Sequence, residues 1–132
     1  MGKSGGVTSF IRPNLTDSVS IDYVSLNMLE KQEILSRIKQ IVYGAEPTSS
    51  LILFGSYARG DNTKSSDIDL IILIDKDKIT YFDEKRIKYP LYDLEFETGM
   101  IISPIVFSKK DWETRHSITP FYNNVKREGI IL

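Results

Sequence analysis

The chain has 132 residues, of which 41% are hydrophobic and 27% charged, with 17 basic against 18 acidic side chains and a net charge of −1. This size and balance fit one compact globular domain and exclude two ordinary ones; without a basic excess, tight nonspecific nucleic-acid binding is disfavoured, while a nucleotide or an RNA end stays open as a ligand. Cysteine is absent, which excludes disulfides, thiolate metal sites and thiol nucleophiles. With no leader pattern at the start and no apolar run near the roughly 20 residues that span a bilayer, the sequence reads as cytoplasmic and not membrane-bound.

Residues 1–20, rich in glycine and serine with a proline and no apolar period, read as a flexible arm, and residues 21–132 as the single domain. Gly2-Lys3-Ser4 has the ending of a phosphate-binding P-loop, but only Met1 precedes it, so the strand and earlier glycine that such a loop needs are missing. From about Ser25 to Tyr43, Leu26, Leu29, Ile34, Ile38, Ile41 and Val42 fall largely at three- and four-residue steps, predicting an amphipathic helix closed by Gly44 and Pro47. Leu51–Phe54 and Ile68–Ile74 are short apolar runs that predict buried strands.

Ile79–Lys88 predicts an amphipathic helix that Pro90 interrupts. In residues 92–97 apolar and acidic side chains alternate, which fits a strand with Asp93, Glu95 and Glu97 on one face. The preceding proline and the Thr98-Gly99 stop fit a helix, and the balance favours the helix. Met100–Phe107 predicts a further strand, with Pro104 marking an edge or a bulge. Lys109–Arg115 predicts a short helix start, and residues 120–132 a helix, a turn at Gly129 and a final apolar strand or tail.

The chemistry concentrates between the first two strands, in FGSYARGDNTKSSDID, residues 54–69. Strand parity points Asp67 and Asp69 to the same side, with Cβ atoms roughly 6.5 to 7 Å apart. Two carboxylates at the mouth of an apolar strand repel each other and lose hydration, and a hard divalent cation relieves both. Mg²⁺ takes oxygen ligands at about 2.1 Å and commonly sits on one or two carboxylates together with substrate phosphates. Gly55 lets a phosphate approach the backbone, the Ser56 hydroxyl can donate to it, and the turn Tyr57-Ala58-Arg59 offers main-chain amides, with Arg59 and Lys64 adding positive charge. Taken singly, a Gly-Ser turn or an Asp-x-Asp strand end is ordinary structure; their joint order carries the argument. Arg59-Gly60-Asp61 also spells an integrin-binding tripeptide, which in this context is coincidence.

GSYARGDNTKSSDIDLIILI, residues 55–74, resembles the signature of the DNA polymerase beta-like nucleotidyltransferase superfamily, GSxARGxxxxxSDxDL, in its small stand-alone branch, the minimal nucleotidyltransferases. The resemblance implies an α+β (mixed α/β) domain with the nucleotidyltransferase fold, a small mixed β-sheet with flanking helices. It implies that Gly55 and Ser56 hold nucleotide phosphates, that Asp67 and Asp69 bind two catalytic Mg²⁺ ions, that Ser66 supports the first aspartate and that Arg59 braces the loop. The activity implied is Mg²⁺-dependent transfer of a nucleoside monophosphate from a nucleoside triphosphate to a hydroxyl of an acceptor. Because 132 residues leave no room for a second domain to hold a small acceptor, the expectation is a macromolecular acceptor, nucleic acid not excluded, or a site completed by another subunit. Small members of the family also pair with helical HEPN-type partner proteins in toxin and antitoxin systems.

The sequence departs from the family at one place. Active members carry a third carboxylate on a later strand, and the corresponding stretch here reads Ser103-Pro104 with no acid in it; Asp93, Glu95 and Glu97 are the nearby candidates. This departure implies the alternative of a catalytically weakened nucleotide-binding module that acts by occupying a partner. His116, the lone histidine, lies in a polar stretch and reads as a surface residue, and Trp112, Phe121 and Tyr122 read as packing residues of the C-terminal layer.

Overall fold

The computed structural model describes residues 23–132, so the expected N-terminal arm and Gly2-Lys3-Ser4 lie outside the described residues. The chain divides into two compact units, Met1–Leu35 and Ser36–Leu132. Helix α1 (Tyr23–Ala45) crosses the division, and all the strands and the other helices belong to the second unit.

Four strands form one mixed sheet in the order β3-β2-β1-β4. β1 (Ser50–Phe54) and β2 (Ile68–Ile74) run antiparallel, with Leu53 opposite Leu70 and Phe54 opposite Asp69. β3 (Ile102–Ser108) lies parallel to β2 at one edge, where Pro104, which has no N–H to give to a ladder, is tolerated. β4 (Ile130–Ile131) closes the other edge against β1. β2, a run of seven residues, is buried on both sides at every position except Asp69, as expected of a strand with helices over both faces.

Strand alternation sorts the core into two layers. On one side Leu51, Leu53, Ile68, Leu70, Ile72 and Ile74 are buried, together with Ile38 and Val42 of α1 and Ile87, Leu91 and Leu94 of α3 (Tyr81–Thr98). On the other, Ile71 and Leu73 meet Trp112 of α4 (Lys109–Glu113) and Val125 of α5 (Pro120–Glu128), with Ile52, Phe54, Phe107, Phe121 and Tyr122 packed around them. Trp112, Phe121 and Tyr122 are thus packing residues. His116 is half-buried rather than freely exposed, its ring 4.7 Å from that of Phe107 and 6.2 Å from that of Trp112.

Pro90 does not interrupt its helix. α3 runs on from Tyr81 through Pro90 to Thr98 and ends at Gly99, whose φ of 75° suits the left-handed cap and whose N–H donates to the Glu95 carbonyl at 2.8 Å. A proline inside a helix costs about 3 kcal/mol. Burying Ile87, Leu91 and Leu94, each worth about 1.5–3 kcal/mol, exceeds that cost and requires one unbroken helix. Residues 92–97 are accordingly helical.

Candidate active site

The site is built where β1 ends and β2 begins. β1 turns out of the sheet at Gly55, which takes φ 74° and ψ −154°, a region that residues other than glycine almost never enter. A second reason excludes any side chain here: a Cβ on Gly55 would collide with the Asp69 carboxylate and lie 3.3 Å from its Cγ. Asp69 therefore packs its carboxylate on the Gly55 main chain, next to Ser56. Ser56 opens the single turn α2 (Ser56–Arg59), and its carbonyl accepts from Gly60 N at 2.9 Å and Asp61 N at 3.1 Å, closing the turn.

The parallel register places Ser103 of β3 beside Asp69 of β2. Ser103 Oγ donates to Asp67 Oδ2 at 3.3 Å, so Asp67, Asp69 and Ser103 converge at the starts of two adjacent strands. Burial, then the charge of Asp67, raises the Asp69 carboxyl above the usual carboxylate range, while Arg59 pulls it back. Asp67 is exposed and Asp69 half-buried, so the pair opens to solvent.

Arg59 is fixed from two sides. Its Nε donates to Asp61 Oδ2 at 3.2 Å and one terminal nitrogen to Glu128 Oε1 of α5 at 3.4 Å, and Asp61 is the larger cause of the rise in its pKa. In Arg59-Gly60-Asp61 the two charges are thus turned onto each other. Ser66 accepts from Thr63 N at 2.8 Å and lies 3.3 Å from the Thr63 hydroxyl, so it pins the loop directly before Asp67.

Of the three candidate acids, all on α3, two are engaged elsewhere. Glu95 Oε2 accepts from Ile102 N at 2.8 Å, bracing the entry to β3, and Glu97 holds Arg37 through two hydrogen bonds of 2.6 and 2.9 Å. Asp93 is exposed on the helix. Among the described residues no group of three acidic or histidine side chains is disposed to hold a metal ion. The oxygen donors that do meet, two carboxylates and a hydroxyl, are of the hard type that a divalent cation would accept.

Two contacts of the site had no signal in the sequence. Glu128 reaches Arg59 across 69 positions, and Ser103 engages Asp67 across 36. Neither separation follows a local period, so only the fold brings them together.

The chain belongs to the nucleotidyltransferase domain family, whose model matches residues 31–130, and so to the polymerase beta-like superfamily. It is similar to two proteins of Methanocaldococcus jannaschii assigned by name as protein adenylyltransferases. One is 42% identical over 103 residues, covering 77% of this chain and 93% of the relative; the other is 39% identical over 82 residues, covering 62% and 75%. In fold it is similar to a crystal structure from Sulfolobus solfataricus assigned as a nucleotidyltransferase, with a TM-score of 0.51, 16% identity, and coverage of 86% of this chain and 90% of that one. The protein is therefore a nucleotidyltransferase, an enzyme class that takes a nucleoside triphosphate as substrate. Among the described residues no helix is long and apolar enough to cross a membrane.

Proposed function

We propose that this protein moves a nucleoside monophosphate from a nucleoside triphosphate to a hydroxyl of a macromolecular acceptor, in a Mg²⁺-dependent reaction. The observation that carries the reading is the packing of the Asp69 carboxylate on Gly55, which puts one of the two acids against the Gly-Ser turn. In this reading Gly55 and Ser56 receive the triphosphate, whose oxygens approach the bare glycine main chain. Arg59, held by Asp61 and Glu128, keeps the turn in place, and Ser66 fixes the loop that delivers Asp67. Asp67 and Asp69 would hold the divalent cations, which supply charge neutralisation at the phosphates and activation of the acceptor oxygen. Positioning and charge compensation provide most of the catalysis in such transfers.

The names of the two archaeal relatives support a protein hydroxyl as acceptor and adenylate as the transferred group. A HEPN-like partner and a cytoplasmic setting belong to the same reading; they rest on the family resemblance and on a chain without cysteine. Ser103 favours a second reading. By the family resemblance it stands where active members carry the third carboxylate, and Glu95 and Glu97 are bonded elsewhere, which fits a nucleotide-binding module with weakened turnover that acts by binding a partner, as in an antitoxin.

Incubation with α-labelled ATP and Mg²⁺, with acceptors drawn from the host proteome and from RNA, separates the two. Transfer that disappears in Asp67→Asn and Asp69→Asn supports the enzyme. Mg²⁺-dependent stabilisation by ATP without label transfer supports the binding module. If ATP with Mg²⁺ leaves the melting temperature unchanged at concentrations that saturate related enzymes, both readings fail, because a ligand at 100 times its Kd stabilises the native state by about 2.7 kcal/mol.

A further inference from the structure

α3 carries a second apolar face that nothing among the described residues covers. Phe82, Tyr89 and Phe96 recur at seven-residue steps, with Lys85 and Tyr92 three places after the first two. At 3.6 residues per turn these five side chains fall within an arc of about 80°, away from the buried Ile87, Leu91 and Leu94. Phe82 is 73% and Phe96 85% exposed, and Tyr89 and Tyr92 are also exposed. Tyr89 and Tyr92 have ring centroids 6.5 Å apart. Phe82, Lys85, Arg86, Tyr89 and Pro90 line an open hollow beside them. The first four stand at i, i+3, i+4 and i+7, the arrangement that receives one side chain from a facing helix.

The charges on α3 say which helix. Of its acidic and basic side chains, Asp83 is bonded to Lys76, Glu84 to Lys88, Arg86 to Glu46, Glu95 to Ile102 N and Glu97 to Arg37. Lys85 and Asp93 have no ion pair among the described residues; Lys85 only lies over the Tyr89 ring, 5.4 Å from its centroid. The two stand on either side of the helix midpoint at Tyr89–Pro90, Lys85 toward the N-terminal end and Asp93 toward the C-terminal end.

We propose that this face is a homodimer interface, in which α3 of a second copy packs antiparallel across it about a two-fold axis near Tyr89. A two-fold contact requires a surface that complements itself. The antiparallel arrangement provides this, bringing Lys85 of each copy level with Asp93 of the other and a partner ring against the hollow beside Tyr89. A parallel arrangement would set Lys85 on Lys85. The partner is thus a second copy of this chain, identified by the mirrored placement of the one unpaired cation and the one unpaired anion of the helix.

Sedimentation velocity of the full chain over a concentration series tests this by association alone, independently of whether the protein turns over. The wild type is expected to dimerise. Lys85→Glu and Asp93→Lys, both at exposed positions, should each raise the dimer Kd at least about tenfold, since like charges then face each other, and the double variant should regain most of the loss. Circular dichroism checks that each variant is folded. A monomeric wild type at the highest attainable concentration overturns the proposal and leaves the face to a different protein. A dimer indifferent to both single changes places the contact elsewhere, and a double variant as weak as the singles rules out the antiparallel pairing.

Discussion

Gly55 and Asp69 depend on each other more closely than any other pair in the site. The glycine satisfies two demands at once, a positive φ and the space that the carboxylate fills. Gly55→Ala should therefore lose about 2 kcal/mol or more, from backbone strain together with overpacking against Asp69. Chemical denaturation measures this loss, and a variant within 0.5 kcal/mol of wild type, on the order of an ordinary surface change, would show that the turn can rearrange. Asp69 works in the opposite direction. Because burial and Asp67 both oppose its ionised form, Asp69→Asn should raise the melting temperature of the ligand-free protein and abolish the extra stabilisation by ATP with Mg²⁺. Thermal shifts with and without the ligand pair check both halves. At this scale the sequence was informative: the Gly-Ser turn and the aspartates two apart identify their positions from local spacing alone. Ser103 was visible as a departure from a pattern, but its bond to Asp67 was not, because that contact depends on the register of a parallel pair.

Helix α3 shows at the scale of an element how a start signal and a buried seam outweigh an internal proline. Thr80 and Asp83 cap each other: Thr80 Oγ1 accepts from Asp83 N at 3.2 Å, and Asp83 Oδ2 accepts from Thr80 N at 2.9 Å. Asp83 is buried and also receives Lys76 Nζ at 2.9 Å, and the Thr80 amide first, then Lys76, holds its carboxyl well below the usual carboxylate range. A carboxyl with a depressed native pKa contributes stability that is complete above its unfolded value, near pH 4, and is lost as the pH falls toward the native value. Asp83→Asn should therefore cost about 2 kcal/mol at pH 7, with the difference from wild type shrinking steadily as the pH drops below about 4. Urea titrations at pH 7, 5, 4 and 3 test the sign, and a difference that widens toward low pH would contradict it. The sequence shows this helix starting and stopping. Its continuity through Pro90 was hidden, since a propensity scale counts the missing N–H and not the three buried side chains that reward an unbroken axis.

For the molecule as a whole, the sheet depends on its last residues. β4 is short, yet Ile130 and Ile131 pair with Leu53 and Ile52, Leu132 N donates to Leu51 O at 2.9 Å, and Tyr43 donates to the Leu132 carbonyl at 3.0 Å. Ending the chain after Gly129 removes these bonds and bares the outer edge of the strand that leads into Gly55. The expected loss is on the order of 2–3 kcal/mol, with faster amide exchange along β1 than along β2. Exchange that accelerates uniformly over the sheet would instead mean that β4 supports the global fold and not that edge. By itself the sequence determined the order of the elements, the two-sided burial of β2 and the positions of the Gly-Ser turn and acidic pair, since all of these follow from local period, composition and turn chemistry. Only the tertiary structure decided that β3 runs parallel beside β2, that Ser103 thereby meets Asp67, that Glu128 reaches back to Arg59, and that Glu95 and Glu97 are drawn away from the pair to Ile102 and Arg37. Those outcomes depend on which strands become neighbours and in what register, and that is set by how the buried faces of the whole chain fit together.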